Sequence, residues 1–180
     1  MNMAYYNITV ECVGGDIAAQ PDLDAVVNAA NAQLRSGGGV AGALHRAAGP
    51  GLEEECRPLA PIKPGEAVIT GAHNLPNRFV IHCLGPVYGS DKPEEKLLAD
   101  CYRNTLKLAE KNRIEKIGFP SLSTGAFGFP MDKAAEIAFR TVKEEAPKLK
   151  KVRLIRFILF GSEALEIHTK QMKTIFSDNE

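Results

Sequence analysis

Two glycine-bearing segments are the parts of this sequence best suited to hold an anion. They are Leu34-Arg35-Ser36-Gly37-Gly38-Gly39-Val40 and Ser121-Leu122-Ser123-Thr124-Gly125-Ala126-Phe127-Gly128-Phe129. Each follows a stretch that reads as a strand and leads into one with helical spacing. Residues without Cβ let successive backbone N–H groups curl into a concave nest, and a helix starting there adds about half a positive charge at its N-terminus. Taken alone, a glycine loop is more often only a tight turn. Two at one edge of a sheet suit two linked phosphates, so the natural ligand is a diphosphate.

Other side chains extend that reading. Asn28-Ala29-Ala30-Asn31 leaves the apolar Ala25-Val26-Val27 toward the first loop. An asparagine there either bonds a sugar hydroxyl without adding charge beside a diphosphate, or satisfies loop backbone. Asp16, at the end of the first strand, either accepts from an exocyclic amine such as adenine's or serves a turn. Phe127, Phe129 and Phe160 lie near strand ends, where aromatics are more often core than stacking platforms.

Several chemistries are excluded. Gly37 to Gly42 matches GxGxxG formally, but it does not follow its strand directly and no acidic residue closes a second strand about 20 positions on. No GK[ST] follows either loop, which removes a nucleoside-triphosphate site of the Walker kind. Cys12, Cys56, Cys83 and Cys101 form no CxxC pair and read as buried free thiols. His45, His73, His82 and His168 show no metal spacing, and no metal or other cofactor is expected. His45, just inside the helix after the first loop, is the one to watch. Glu53 to Glu55 and Glu94-Glu95 read as solvated helix faces.

The elements that must position these residues follow from periodicity. Strands are predicted at Tyr5–Val13, Ala25–Ala30, Glu66–Thr70, Arg78–Leu84, Lys116–Pro120 and Val152–Phe160. Helical spacing predicts two short helices in Val40–Arg57, split at Gly49-Pro50-Gly51. Further helices are predicted from Glu94 past Ala109, over Asp132–Ala146, and through Leu165, His168, Met172 and Ile175. Strands alternating with helices imply an α/β domain, its sheet covered on both faces, with sites at loops leaving strand ends. The 180 residues suit a single domain, 1–180, with Asp178 to Glu180 as a short polar tail. Twenty-two basic and 22 acidic residues leave no net charge to drive broad nucleic-acid binding. No apolar run approaches a membrane span and no signal segment is visible, so a cytoplasmic setting is expected.

Taken in order, the motifs resemble those of macrodomains. Gly15-Asp16-Ile17, Asp24 to Asn31 and Gly37 to Gly49 carry the likeness, followed by Gly65-Glu66-Ala67, Val80 to Pro86 and Ser123 to Pro130. The last three are similar to the MacroD-type branch. The resemblance implies a three-layer αβα sandwich with a mixed central sheet and an ADP-ribose cleft across its strand ends. It implies that Asp16 accepts the adenine amine, with Ile17 beside it and Phe160 packed on the base. Gly37, Gly38, Gly39 and Val40 would form one phosphate loop, and Ser123, Thr124, Gly125, Ala126 and Phe127 the other. Ala29 would line the ligand site, Phe127 would touch the distal ribose, and Asn31 would be the catalytic asparagine.

The implied activity is hydrolysis of mono-ADP-ribose from carboxylate side chains of proteins, or of O-acetyl-ADP-ribose, without a metal. The implied partners are ADP-ribose and ADP-ribosylated proteins. Ala41 departs from the pattern, since many hydrolytic members carry Asp there, and Gly161 stands where relatives often have Asp or Ser. A domain that binds ADP-ribose without turnover is the alternative, and recognition of a phosphorylated or ADP-ribosylated nucleic-acid end is a third.

Overall fold

In the computed structural model, residues 1–177 are described, so the polar tail predicted at Asp178 to Glu180 lies outside them. The first apolar stretch is a hairpin and not the single strand predicted over Tyr5–Val13. β1 (Asn2–Tyr5) pairs antiparallel with β2 (Ile8–Gly14), Tyr5 opposite Ile8. The reversal places Tyr6 at φ 50°, in the left-handed region, which an alternating apolar pattern does not signal.

The remaining strands fall within two residues of their predicted bounds: β3 (Ala25–Ala29), β4 (Ala67–Gly71), β5 (Phe79–Cys83), β6 (Lys116–Phe119) and β7 (Leu154–Leu159). The helices are α1 (Gly39–Ala48), α2 (Pro50–Cys56), α3 (Glu94–Lys111), α4 (Met131–Glu145) and α5 (Ser162–Ser177). Pro50 opens α2, where its missing N–H costs nothing, and this splits α1 from α2 as the sequence predicts.

The sheet runs β1-β2-β7-β6-β3-β5-β4. Its central members β2, β7, β6, β3 and β5 are parallel, and the edge strands β1 and β4 are antiparallel. One face buries Leu98, Leu106, Phe119, Phe139 and Phe157 beneath α3, α4 and α5; the other buries Val26, Leu44, Leu52, Val80 and Ile158 beneath α1 and α2. This is an αβα sandwich with a mixed sheet. All four cysteines are buried.

Asp24 ties three strand starts together. Its N–H donates to the Lys116 carbonyl, its own carbonyl accepts from the N–H groups of Arg78 and Phe79, and Oδ2 accepts from those of Glu115 and Lys116 at 2.9 and 3.0 Å.

Within the core, His82 of β5 is fully buried. Asn28 Nδ2 donates to its Nδ1 at 3.0 Å, so Nε2 carries the proton and donates to Thr70 Oγ1 at 2.9 Å. That hydroxyl donates in turn to the Gly71 carbonyl. Burial, reinforced by nearby His45, pulls the His82 pKa down to about 3. Burial also lowers the pKa of His168, whose Nδ1–H donates to the Ala164 carbonyl.

A pH dependence of stability follows. Above the unfolded histidine value of about 6.5 neither state holds the proton and nothing is lost. Below it the unfolded chain is protonated while folded His82 stays neutral down to about pH 3, so stability falls as pH falls. From His82 alone the slope approaches about 1.4 kcal/mol per pH unit. Thermal melts should therefore begin to decline near pH 6.5, and His82→Gln should flatten the slope between pH 6.5 and 5. An unchanged slope in that variant would mean the ring titrates freely in the fold.

Candidate functional site

Because the five central strands are parallel, their C-terminal ends share one edge, and the loops that follow them gather there. That edge carries Asp16 and Ile17 after β2, Asn31 and Gly37 to Gly39 after β3, Ser123 to Phe127 after β6, and Phe160 after β7. A cavity of about 730 Å³ opens at it, with Asp16, Ile17, Gly39, Val40, Pro120 and Phe160 in its wall. Phe129 is core, as the sequence suggests, and packs against Tyr88 with ring centroids 4.9 Å apart. Phe160 is not core. The residue is 96% exposed at the cavity mouth, a surface that a flat ligand would cover.

Asp16 has one oxygen committed and one to spare. Oδ1 accepts from the Ala18 N–H at 2.9 Å, which leaves Oδ2 for a donor in the cavity. The loop is held from below by a relay with no local sequence signal. Gln20 Nε2 donates to the Asp16 carbonyl at 3.0 Å, and Arg156 Nη1 donates to Gln20 Oε1 at 2.9 Å. Arg156, on β7, also binds Asp22 at 2.7 Å and Glu11 at 2.8 Å. Its hydrogen bond holds the Asp22 carboxyl below the usual range, and the Arg156 pKa rises correspondingly.

Across the cavity, α1 begins without a side-chain cap. Its N-cap is Gly38, and no acidic residue lies in the first turn. The first-turn N–H groups therefore have no side-chain partner, and Gly39 and Val40 present that end of the helix to the cavity. α5 starts at Ser162, immediately behind Phe160, so a second helix N-terminus opens on the same space. Among the described residues, Asp16 is the one charged side chain in the wall.

Two glycines set how closely these pieces approach. A Cβ on Gly42 would run into the Gly37 carbonyl oxygen and lie 2.9 Å from the Arg46 guanidinium, so α1 and the first loop pack as one unit. A Cβ on Gly85 would collide with Ser123 Oγ, which joins the loop after β5 to the second glycine loop. Sequence reasoning did not single these two out as site residues, although both stand in the quoted motifs.

The second loop offers main chain more than side chains. Ser123 sits at φ 65° with its hydroxyl buried, and Thr124 Oγ1 bonds Ser121 Oγ at 2.7 Å. Gly125 and Ala126 are exposed, while Phe127 is half-buried on the same apolar cluster as Val40. Ser123, Thr124, Gly125, Ala126 and Phe127 share the cleft edge but are not in the wall of the large cavity; the same holds for Ala29, Asn31, Gly37 and Gly38. Ala29 is half-buried against the core, and Gly37 and Gly38 are exposed.

Asn31 is latched to its own loop. Nδ2 donates to the Arg35 carbonyl at 2.8 Å, and Oδ1 accepts from the Arg35 N–H at 3.0 Å. One N–H and one lone pair remain for a ligand. Asn28, the other candidate, is buried, with Nδ2 bonded to His82 and Oδ1 enclosed without a partner. His45 is 6% exposed on the inner face of α1, and burial lowers its pKa, so it is a neutral packing residue outside the cleft. Ala41 is also buried. Among the described residues no three His, Cys, Asp or Glu side chains converge as a metal site, and no helix is long and apolar enough to cross a membrane.

Residues 27–138 match the model of the Macro domain family. A macro domain-containing protein of Chlorobaculum tepidum is 45% identical over 167 residues, covering 92% of this chain and 96% of that protein. The O-acetyl-ADP-ribose deacetylase of Klebsiella pneumoniae is 44% identical over 165 residues, covering 89% and 94%. The Oceanobacillus iheyensis macrodomain solved with ADP superposes with a TM-score of 0.93 at 37% identity, over 98% of this chain and 96% of that one. The Trypanosoma brucei macrodomain in complex with ADP-ribose does so with a TM-score of 0.83 at 36% identity, over 89% and 68%.

The close approach at Gly42 can be tested directly. Gly42→Ala must push the first loop off α1, and overpacking of this kind costs about 1–3 kcal/mol. Thermal melts of the variant should show Tm lowered by about 2–4 °C for each kcal/mol lost. An unchanged Tm would mean that the first loop moves off α1 without cost.

Proposed function

This chain belongs to the macro domain family, and from that premise we propose that it binds ADP-ribose and hydrolyses esters of its distal ribose. The substrates are proteins mono-ADP-ribosylated on acidic side chains, O-acetyl-ADP-ribose, or both. One observation carries the reading: a single cavity has a free carboxylate oxygen of Asp16 at one side, the bare face of Phe160 at its mouth, and the uncapped start of α1 between. Those are the partners an adenine amine, an adenine ring and a diphosphate require.

In this reading adenine lies against Ile17 and Phe160 with its amine on Asp16. The diphosphate takes main-chain N–H groups of Gly37 to Val40 and of Ser123 to Phe127, with Ala29 beneath. The distal ribose sits between Asn31 and Phe127. A water held between the spare Asn31 group and a diphosphate oxygen attacks the ester; the ester bond breaks, leaving ADP-ribose and the free carboxylic acid. The protein contributes position and loop amides that offset developing charge. Proximity alone can supply about 7 kcal/mol of the barrier, so the step runs without a protein base, a metal or a cofactor.

Ala41 favours one other reading, a domain that holds ADP-ribose intact, because the position supplies no carboxylate. A single preparation separates the two. A protein mono-ADP-ribosylated on glutamate should lose ADP-ribose catalytically, and free ADP-ribose should bind the same sample. Binding without release supports the reader; the absence of both binding and release overturns the ligand assignment itself. Asn31→Ala should then lower turnover far more than ADP-ribose affinity, since its part lies in placing ribose and water. Equal turnover in that variant removes Asn31 from the mechanism.

A further inference from the structure

The loop that carries Asn31 has a second, polar face outside the cleft. We infer that a hollow of about 430 Å³ on that face docks an acidic polypeptide segment, the stretch flanking an ADP-ribosylated residue; this rests on the ADP-ribose reading above. The hollow is bounded by Gln33, Leu34 and Arg35 after β3, by Glu53 of α2, and by Arg57 and Ala60 just beyond it. Its frame is fixed by main-chain bonds: the Ser36 N–H donates to Glu53 Oε1 at 3.2 Å, and the Ile62 N–H to the Ala32 carbonyl at 2.9 Å.

Position is the first argument. The loop running from Asn31 to Gly39 serves both spaces, with Gln33 to Arg35 lining the hollow and Gly39-Val40 at its end lining the cleft. Two hydrogen bonds fasten Asn31 to Arg35, which lines the hollow. A ligand with adenine at Asp16 and Phe160 and its distal ribose at Asn31 therefore carries whatever is esterified to that ribose toward this wall.

Charge is the second. Arg35 and Arg57 are exposed and form no ion pair among the described residues, and they are the unpaired arginines that line this hollow. Glu53 is the acid in the hollow, and its Oε1 is committed to the Ser36 N–H. Two guanidiniums against one carboxylate leave the hollow net positive.

The opposite flank of the reacting end offers no comparable free cations. The loop after β5, joined to the second glycine loop by Tyr88 N–H to Phe127 carbonyl at 2.8 Å, carries Asp91 and leads into Glu94 and Glu95 of α3, which pair with Lys92 at 3.6 Å and Lys133 at 2.6 Å. Among the described residues a chain rich in Asp and Glu finds no unpaired cation there, which favours the Arg35–Arg57 side. A nucleic-acid strand fits less well, because among the described residues no aromatic side chain lines the hollow for bases to stack on.

The test uses the full chain and three peptides. Each bears one ADP-ribose joined to a glutamate position through a hydrolysis-resistant amide, flanked in the first by acidic residues, in the second by their neutral amides and in the third by lysines. At low salt the acidic peptide should bind about three- to tenfold tighter than free ADP-ribose, and the neutral peptide no tighter. Arg57→Glu should erase that gain, leave free ADP-ribose affinity unchanged, and prefer a lysine-flanked peptide; Arg57→Gln should show the loss without the reversal. Equal affinity of the acidic and neutral peptides, with free ADP-ribose still bound, overturns the docking site alone. No binding of free ADP-ribose overturns the parent reading and this one with it. A single-stranded oligonucleotide that competes only for the acidic peptide's extra affinity would reassign the hollow to nucleic acid.

Discussion

The cleft depends on where the central strands end, and Asp24 governs this at their other ends. One residue offers its N–H to β6, its carbonyl to the start of β5, and its carboxylate to the two N–H groups that open β6. The result is a fixed register: Ala25 opposite both Phe79 and Ile117, and Asn28 opposite His82. Side chains alternate across a sheet, so a slip of one residue in β3 would reverse every side chain of that strand and move Asn31 by about 3.3 Å. The bond between Asn28 and His82 forms only in the observed register. It is a buried check at the functional end on an alignment set at the far end.

Upon that frame the cleft is assembled from features that lower stability locally. α1 begins on glycine without a capping side chain, which costs roughly a few tenths of a kcal/mol relative to a good N-cap residue. Phe160 is held in water, and Ser123 is in a left-handed conformation with a buried, unpartnered hydroxyl. Such departures from local rules are tolerated where the rest of the fold over-determines the backbone, and they collect at functional sites. Here they collect at one edge of the sheet. The compensation lies in the apolar clusters on the two sheet faces and in the close packing of α1 onto its own loop through Gly42.

Much of this was legible in the sequence, and the limits have physical causes. Period-two and period-3.6 patterns place the strands after β1 and the helices, because each buries one apolar face. The two glycine loops and Asp16 are visible as residue types at strand ends. The turn at Tyr6 is invisible, since tyrosine is not a residue that advertises a positive φ. The Arg156–Gln20–Asp16 relay escapes for another reason: Arg156 lies 134 positions from Asp22 and 136 from Gln20, and no short motif spans that separation. Asn28 and Asn31 look equivalent as a pair in Asn28-Ala29-Ala30-Asn31. Only the sheet distinguishes them, because β3 directs Asn28 into the core and ends at Ala29, before Asn31.

That distinction bears on how a site lacking a carboxylate at Ala41 could place a water. A base is defined by its pKa; a neutral amide has only geometry to offer. The Arg35 main chain supplies it, accepting from Nδ2 and donating to Oδ1, so turning the Asn31 amide over forfeits two hydrogen bonds, each worth about 1 kcal/mol. The spare N–H and the spare lone pair then keep to defined sides, and in the proposed hydrolysis an incoming ribose and water would meet an oriented donor and acceptor that need no rearrangement. The same latch ties the amide to the loop that carries Arg35, so strain introduced at the loop's outer face by a bound polypeptide would reach Asn31 through two bonds and no intervening side chain.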